Sequence, residues 1–119
     1  MILTVGVAWS AQYEIDAHVS AARAVGVPDS AIEAILQGRA PSGLGAPAQV
    51  AQRLTAALLN DRAVPDPLYE EAVGLFDDVG LMAVLCLIGQ YQTISSILVC
   101  FQVPAPDRAP RHPVERNEA

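Results

Sequence analysis

Glu14 and His18 stand one helical turn apart in a stretch otherwise rich in alanine and valine. At that spacing a carboxylate and an imidazole share a hydrogen bond or flank one substrate. On a helical wheel at about 100° per residue, with Ile15 at zero, Val19 falls near +40°, Ala22 near −20° and Ala11 near −40°. His18 and Glu14 follow at about −60° and −100°, with Val25 and Ala21 at about −80° and −120° on the same arc. Gln12, Asp16, Ser20 and Arg23 occupy the opposite side, which puts Asp16 and Arg23 on the wet face. Glu14 and His18 therefore interrupt an apolar arc whose alanines leave volume for a ligand. Such a pair suits a proton relay, in which one group takes a proton from a substrate carbon or hydroxyl and the other returns it. It reads equally as a partly buried ion pair that only orients its helix.

Other chemistries find fewer residues. A metal would have Glu14 and His18 as two ligands, but the second histidine is His112, so a third ligand must come from elsewhere. Cys86 and Cys100 lie fourteen apart in an apolar run, form no CxxC pair, and read as buried, reduced thiols. A Cys–His nucleophile would need one of them beside His18. Gly43-Leu44-Gly45 lacks the strand and the lysine of a phosphate loop. Gln90, Tyr91 and Gln92 suit either a pocket lining or hydrogen bonds across a subunit interface.

The elements that carry these residues read as helices throughout, an all-α fold of five. A first helix is predicted over about 2–25, closed by Gly26 and stopped by Pro28. Asp29 or Ser30 caps a second, with Glu33 completing a capping box, and it ends at Gly38. After a loop at 41–45, a third helix covers about 47–60. Asp66 caps a fourth with Pro67 in its first turn, ending near Phe76. The fifth runs from Gly80 to about Gln102. Its end, 94–103, is rich in β-branched residues, yet it continues the helical run without a turn signal.

The chain has 119 residues, enough for one domain. Hydrophobic residues make up 52% and aromatic ones 5%, so the core is small and aliphatic. All seven cations are arginine, against thirteen acids, for a net charge of −6; this excludes a general nucleic-acid surface. Residues 104–119 carry three charges of each sign and four prolines, and read as an extended or disordered tail beyond a domain at 1–103. The opening residues lack the basic start and cleavage site of a signal peptide. Residues 79–103 carry no charge and are nominally long enough to span a bilayer. Gln90, Gln92, Thr93, Ser95 and Ser96 fall in their middle, however, which favours a helix buried on all sides in a core or subunit interface. A cytoplasmic protein with no membrane partner is expected.

Trp9-Ser10-Ala11-Gln12-Tyr13-Glu14-Ile15-Asp16-Ala17-His18-Val19, then Ala21 to Val27 and Ile32-Glu33-Ala34-Ile35, resemble the carboxymuconolactone decarboxylase family, which includes the AhpD-type alkylhydroperoxidases. Phe76-Asp77-Asp78-Val79-Gly80-Leu81, Leu87-Ile88-Gly89-Gln90-Tyr91 and Phe101-Gln102-Val103-Pro104 are similar to that family's final helix. The resemblance covers roughly 2–104 and implies an AhpD-like helical domain, assembled as trimers or hexamers, that works without metal or organic cofactor. It implies Glu14 and His18 as the acid–base pair acting on a small carboxylated lactone or related acid, with Tyr13, Gln90 and Tyr91 against the substrate. The peroxidase branch carries cysteines at the positions of Ala11 and Glu14, so this chain matches the decarboxylase-like branch; hydroperoxide reduction and a catalytically silent homo-oligomeric scaffold are the alternatives. The family's helix also starts a turn or more before Met1, so the resemblance implies a chain that enters its domain late. Because the body is acidic, an anionic substrate requires Arg23, Arg39, Arg53 or Arg62 near the pocket.

Overall fold

The computed structural model describes residues 1–105, and these form five helices with no strand among them. They are α1 (Ile2–Ala8), α2 (Gln12–Ala24), α3 (Asp29–Leu36), α4 (Ala46–Asn60) and α5 (Asp66–Cys100). The all-α expectation holds, but the helices divide differently.

The first helix is two. The chain leaves α1 at Trp9 and turns through Ser10 at φ 51°, with the Ser10 and Ala11 amides donating to the Val7 and Gly6 carbonyls. An unbroken helix would carry Leu3, Val5 and Gly6 away from the body. The break instead folds α1 back, so that it touches all four other helices and buries those three residues. Gly6 makes the return possible. A Cβ there would lie 3.2 Å from Ile15 Cγ1 and 3.6 Å from Glu14 Cγ, so a larger residue would push α1 off α2.

The fourth and fifth expected helices meet within α5. Asp77 at φ 54°, ψ −178° interrupts the helical backbone, and its Oδ1 accepts a hydrogen bond from the Gly80 amide at 2.9 Å. Asp77 thus caps the second segment where the sequence predicts a boundary. Elsewhere the caps are corrected by one residue: Pro28 and Pro65 occupy the N-cap positions, with Asp29 and Asp66 already helical and no side-chain cap bond at either. Asp29 is engaged by Arg23 Nε at 2.8 Å instead. Gly26 and Gly38 close α2 and α3 at φ 85° and 70°, a left-handed conformation that favours glycine.

Two apolar clusters result. Leu3, Ile32 and Ile35 join α1 to α3, while Val50, Leu54, Ala72 and Leu81 join α4 to α5. The final helix is not buried on all sides, which corrects the core reading. In its second segment Leu81, Ile88 and Ser95 are buried, spaced by sevens, and Val79, Met82, Leu87, Ile97 and Val99 are exposed. Cys86 and Cys100 are exposed as well, against expectation. They sit about 160° and 140° around the helix from Ile88 and Ser95 respectively, so they face away from the buried stripe. Helix α5 is long and apolar enough to cross a membrane, with a mean hydropathy of 1.9 over its most apolar window, of which 17% is buried. The expected β-branched ambiguity resolves as helix through Cys100. Of the expected tail, Ala105 is buried, and residues 106–119 lie outside the described residues.

Candidate functional site

Helix α2 sets Glu14 and His18 on one face, and the break at Ser10 lays α1 over Glu14. The Glu14 side chain is 4% exposed, that of His18 26%. Not all of the predicted arc goes inside: Val25, which falls between Glu14 and His18 on the wheel, lies at the C-cap past the end of α2 and is 81% exposed. Glu14 is instead the buried residue of α2.

His18 Nδ1 lies 3.0 Å from the Glu14 backbone carbonyl and 3.4 Å from Glu14 Oε1. A carbonyl oxygen only accepts, so the proton of a neutral His18 sits on Nδ1 and Nε2 carries the free lone pair. The imidazole is thereby fixed in one tautomer and one orientation by its own helix. Across from it, the Tyr91 ring meets the His18 ring edge-on, with centroids 5.5 Å apart and planes at 86°.

The other carboxylate oxygen faces α5. Ser95 Oγ, fully buried, donates to Glu14 Oε2 at 3.4 Å. Tyr91 and Ser95 are themselves one turn apart, so two i,i+4 pairs on facing helices make one cluster: Glu14 with Ser95, His18 with Tyr91. Sequence reasoning missed Ser95, although its sevenfold spacing from Leu81 and Ile88 marks the buried stripe.

Tyr13 and Gln90 stand apart. Both are exposed, and neither forms a hydrogen bond or ring contact with Glu14 or His18 among the described residues. Gln92 is half-buried. No arginine pairs with Glu14 either; among the described residues Arg23 pairs with Asp29 and Arg53 with Glu71. Both cysteines are free thiols on the exposed side of α5, and no three metal-ligating side chains come together among the described residues.

No family model, curated protein or solved structure matches the chain. The cluster offers a buried carboxylate, an imidazole with a defined free nitrogen, a phenol edge and a hydroxyl. That set can accept a proton, hold it and return it, which is general acid–base work. It holds no activated nucleophile.

Proposed function

We propose that this chain is a carboxymuconolactone decarboxylase-like enzyme of the branch without CxxC, acting on a small carboxylated lactone or related acid without a cofactor. The observation that carries the reading is the buried Glu14 carboxylate held against His18, with Nδ1 tied down and Nε2 free. In a decarboxylation the bond to the leaving carbon dioxide breaks and its electron pair passes to the conjugated carbonyl. Protonated His18 then delivers its proton from Nε2 to the carbon, and Glu14 stabilises the charged imidazole before that transfer. In an isomerisation His18 would take the proton first and return it elsewhere on the same substrate. Tyr91 shapes the imidazole's surroundings, and Tyr13 and Gln90 would meet the substrate only beyond this cluster.

A homo-oligomer, trimer or hexamer, accompanies this proposal. It is supported by the apolar face that α5 leaves exposed, including Val79 at 80% and Met82 at 60% exposure. The polar residues Gln90, Gln92, Thr93 and Ser96 midway along that helix favour a protein partner in the cytoplasm over lipid. The same exposed face also supports the second reading, a silent homo-oligomeric scaffold. Hydroperoxide reduction has less behind it, because Ala11 and Glu14 occupy the cysteine positions of the peroxidase branch.

A panel of carboxylated lactones and β-keto acids, followed by carbon dioxide release, tests the reading. Turnover by the wild-type chain, reduced roughly 100-fold or more in His18→Ala, is expected. Turnover that His18→Ala leaves unchanged overturns the assignment, and a panel with no turnover at all leaves the scaffold reading in its place.

A further inference from the structure

We infer that a cavity on the other side of α1 from Glu14 binds a small zwitterion with an apolar side chain, the chemistry of a free aliphatic α-amino acid. The cavity holds about 350 Å³ between α1, the end of α3 and α4. That volume falls within the range of small-ligand sites. It is separate from the Glu14 cluster: Thr4 and Ala8, which line it, lie about 160° around α1 from Gly6, the residue that packs on Glu14.

The volume exists because its walls are small. Ala56 and Ala57 face it from α4 and Gly38 from the end of α3, with Val7 and Ile35 supplying apolar surface. Its polar groups are incompletely satisfied. Thr4 Oγ1 is buried and has no hydrogen-bond partner. Gln52 is 7% exposed and its amide makes no hydrogen bond among the described residues. A buried polar group without a partner is costly, so Thr4 Oγ1 is disposed to take up a ligand's hydrogen bond, and the Gln52 amide on the same lining offers both a donor and an acceptor.

Two opposite charges complete the lining and do not pair with each other. Arg39 follows Gly38, whose left-handed turn closes α3 with the Arg39 amide donating to the Ala34 carbonyl at 2.8 Å. Its guanidinium donates to the neutral Gln37 amide oxygen, and among the described residues it has no carboxylate partner. Asp61 caps the C-terminus of α4 and likewise has no ion-pair partner among the described residues. There the carboxylate adds to the negative end of the helix, so the spot favours a cation. Arg53, the other cation on the lining, is already taken by Glu71. The uncompensated charges are therefore one positive and one negative, facing one cavity from two helix ends. A ligand carboxylate fits at Arg39, its ammonium at Asp61, and its aliphatic side chain between Val7, Ile35 and the alanines.

The test is calorimetric titration of the full chain with three matched probes: L-leucine, 4-methylpentanoate, which keeps the carboxylate alone, and 3-methylbutylamine, which keeps the amine alone. Saturable binding of leucine is expected, at least about tenfold tighter than either single-charge probe. Arg39→Gln and Asp61→Asn should each weaken leucine about tenfold or more, with thermal melting confirming that both variants fold. Both residues are exposed, so these substitutions leave the core alone. His18→Ala should bind leucine as the wild type does. Equal binding of 4-methylpentanoate, binding that both variants retain, or no saturable binding at millimolar leucine each overturns the proposal.

Discussion

Ser95 Oγ donates to Glu14 Oε2 across 3.4 Å, joining residues 81 apart in sequence, and both side chains are buried. The bond ties the last third of α5 to α2 at the point where the carboxylate would otherwise have an oxygen facing apolar surface. Removing a donor from a buried acceptor costs about 1–3 kcal/mol. Ser95→Ala is therefore expected to lower the melting temperature, by roughly 4–8 °C per kcal/mol in a domain of this size. A double-mutant cycle with Glu14→Ala locates the effect. A coupling of about 0.5 kcal/mol or more is expected, and additive losses would separate Ser95 from Glu14.

Tyr91 gives a second, differently shaped prediction. Its contact with His18 is made by the ring, so Tyr91→Phe keeps the edge-on geometry while Tyr91→Ala removes it. Such ring pairs contribute about 0.5–1.5 kcal/mol beyond area burial. Thermal melts should leave Tyr91→Phe within a fraction of that value and place Tyr91→Ala below it. On turnover, Tyr91→Phe should be mild and His18→Ala severe. If the proposed turnover exists, a Tyr91→Phe chain as impaired as His18→Ala would give the phenol a proton-transfer role that the geometry does not assign to it.

Much of this arrangement is legible in the residues, for reasons that differ by position. Gly26 and Gly38 end helices because only a left-handed turn closes them, and Pro67 opens one because its missing amide costs nothing there. Glu14 can be placed on the inner arc because the flanking alanines give that helix a phase. The break at Ser10 cannot be read so, since serine carries no bias towards φ 51°; tertiary packing of Leu3, Val5 and Gly6 imposes it. Helix α5 fails for another reason. From Val79 onwards apolar residues occur on every side, so periodicity carries no phase to tell the buried Leu81–Ile88–Ser95 line from the exposed cysteines.

Asp77 combines a strained backbone with a cap, and two substitutions separate them. At φ 54° the backbone favours glycine, while the carboxylate accepts the Gly80 amide hydrogen bond. Asp77→Ala keeps the strain and loses the cap; Asp77→Gly loses the cap but relieves the strain. Caps contribute about 0.5–2 kcal/mol, and the left-handed region costs a non-glycine residue roughly 1–2 kcal/mol. Denaturant melts should rank Asp77→Ala lowest, with Asp77→Gly about 1 kcal/mol above it. A reversed order would mean that the kink disappears when Asp77 is replaced and the two halves of α5 run on as one helix.

Val79, Met82 and Cys86 form an exposed stripe at helical spacing on α5, just after that kink. Val79 and Met82 both lie well outside the two apolar clusters that hold the single chain together. Burying such side chains contributes about 25 cal/mol per Å² of apolar surface, so the stripe favours contact with another copy. Charged residues there should oppose it without disturbing the fold, because neither side chain packs against the body. Val79→Glu combined with Met82→Glu is expected to lower the mass measured by light scattering while leaving helicity by circular dichroism unchanged. Glutamate on an acidic chain adds like-charge repulsion to the lost apolar contact, which sharpens the shift. An unchanged oligomer mass would move the contact to another face, and a monomeric wild-type chain would remove the self-association proposal altogether.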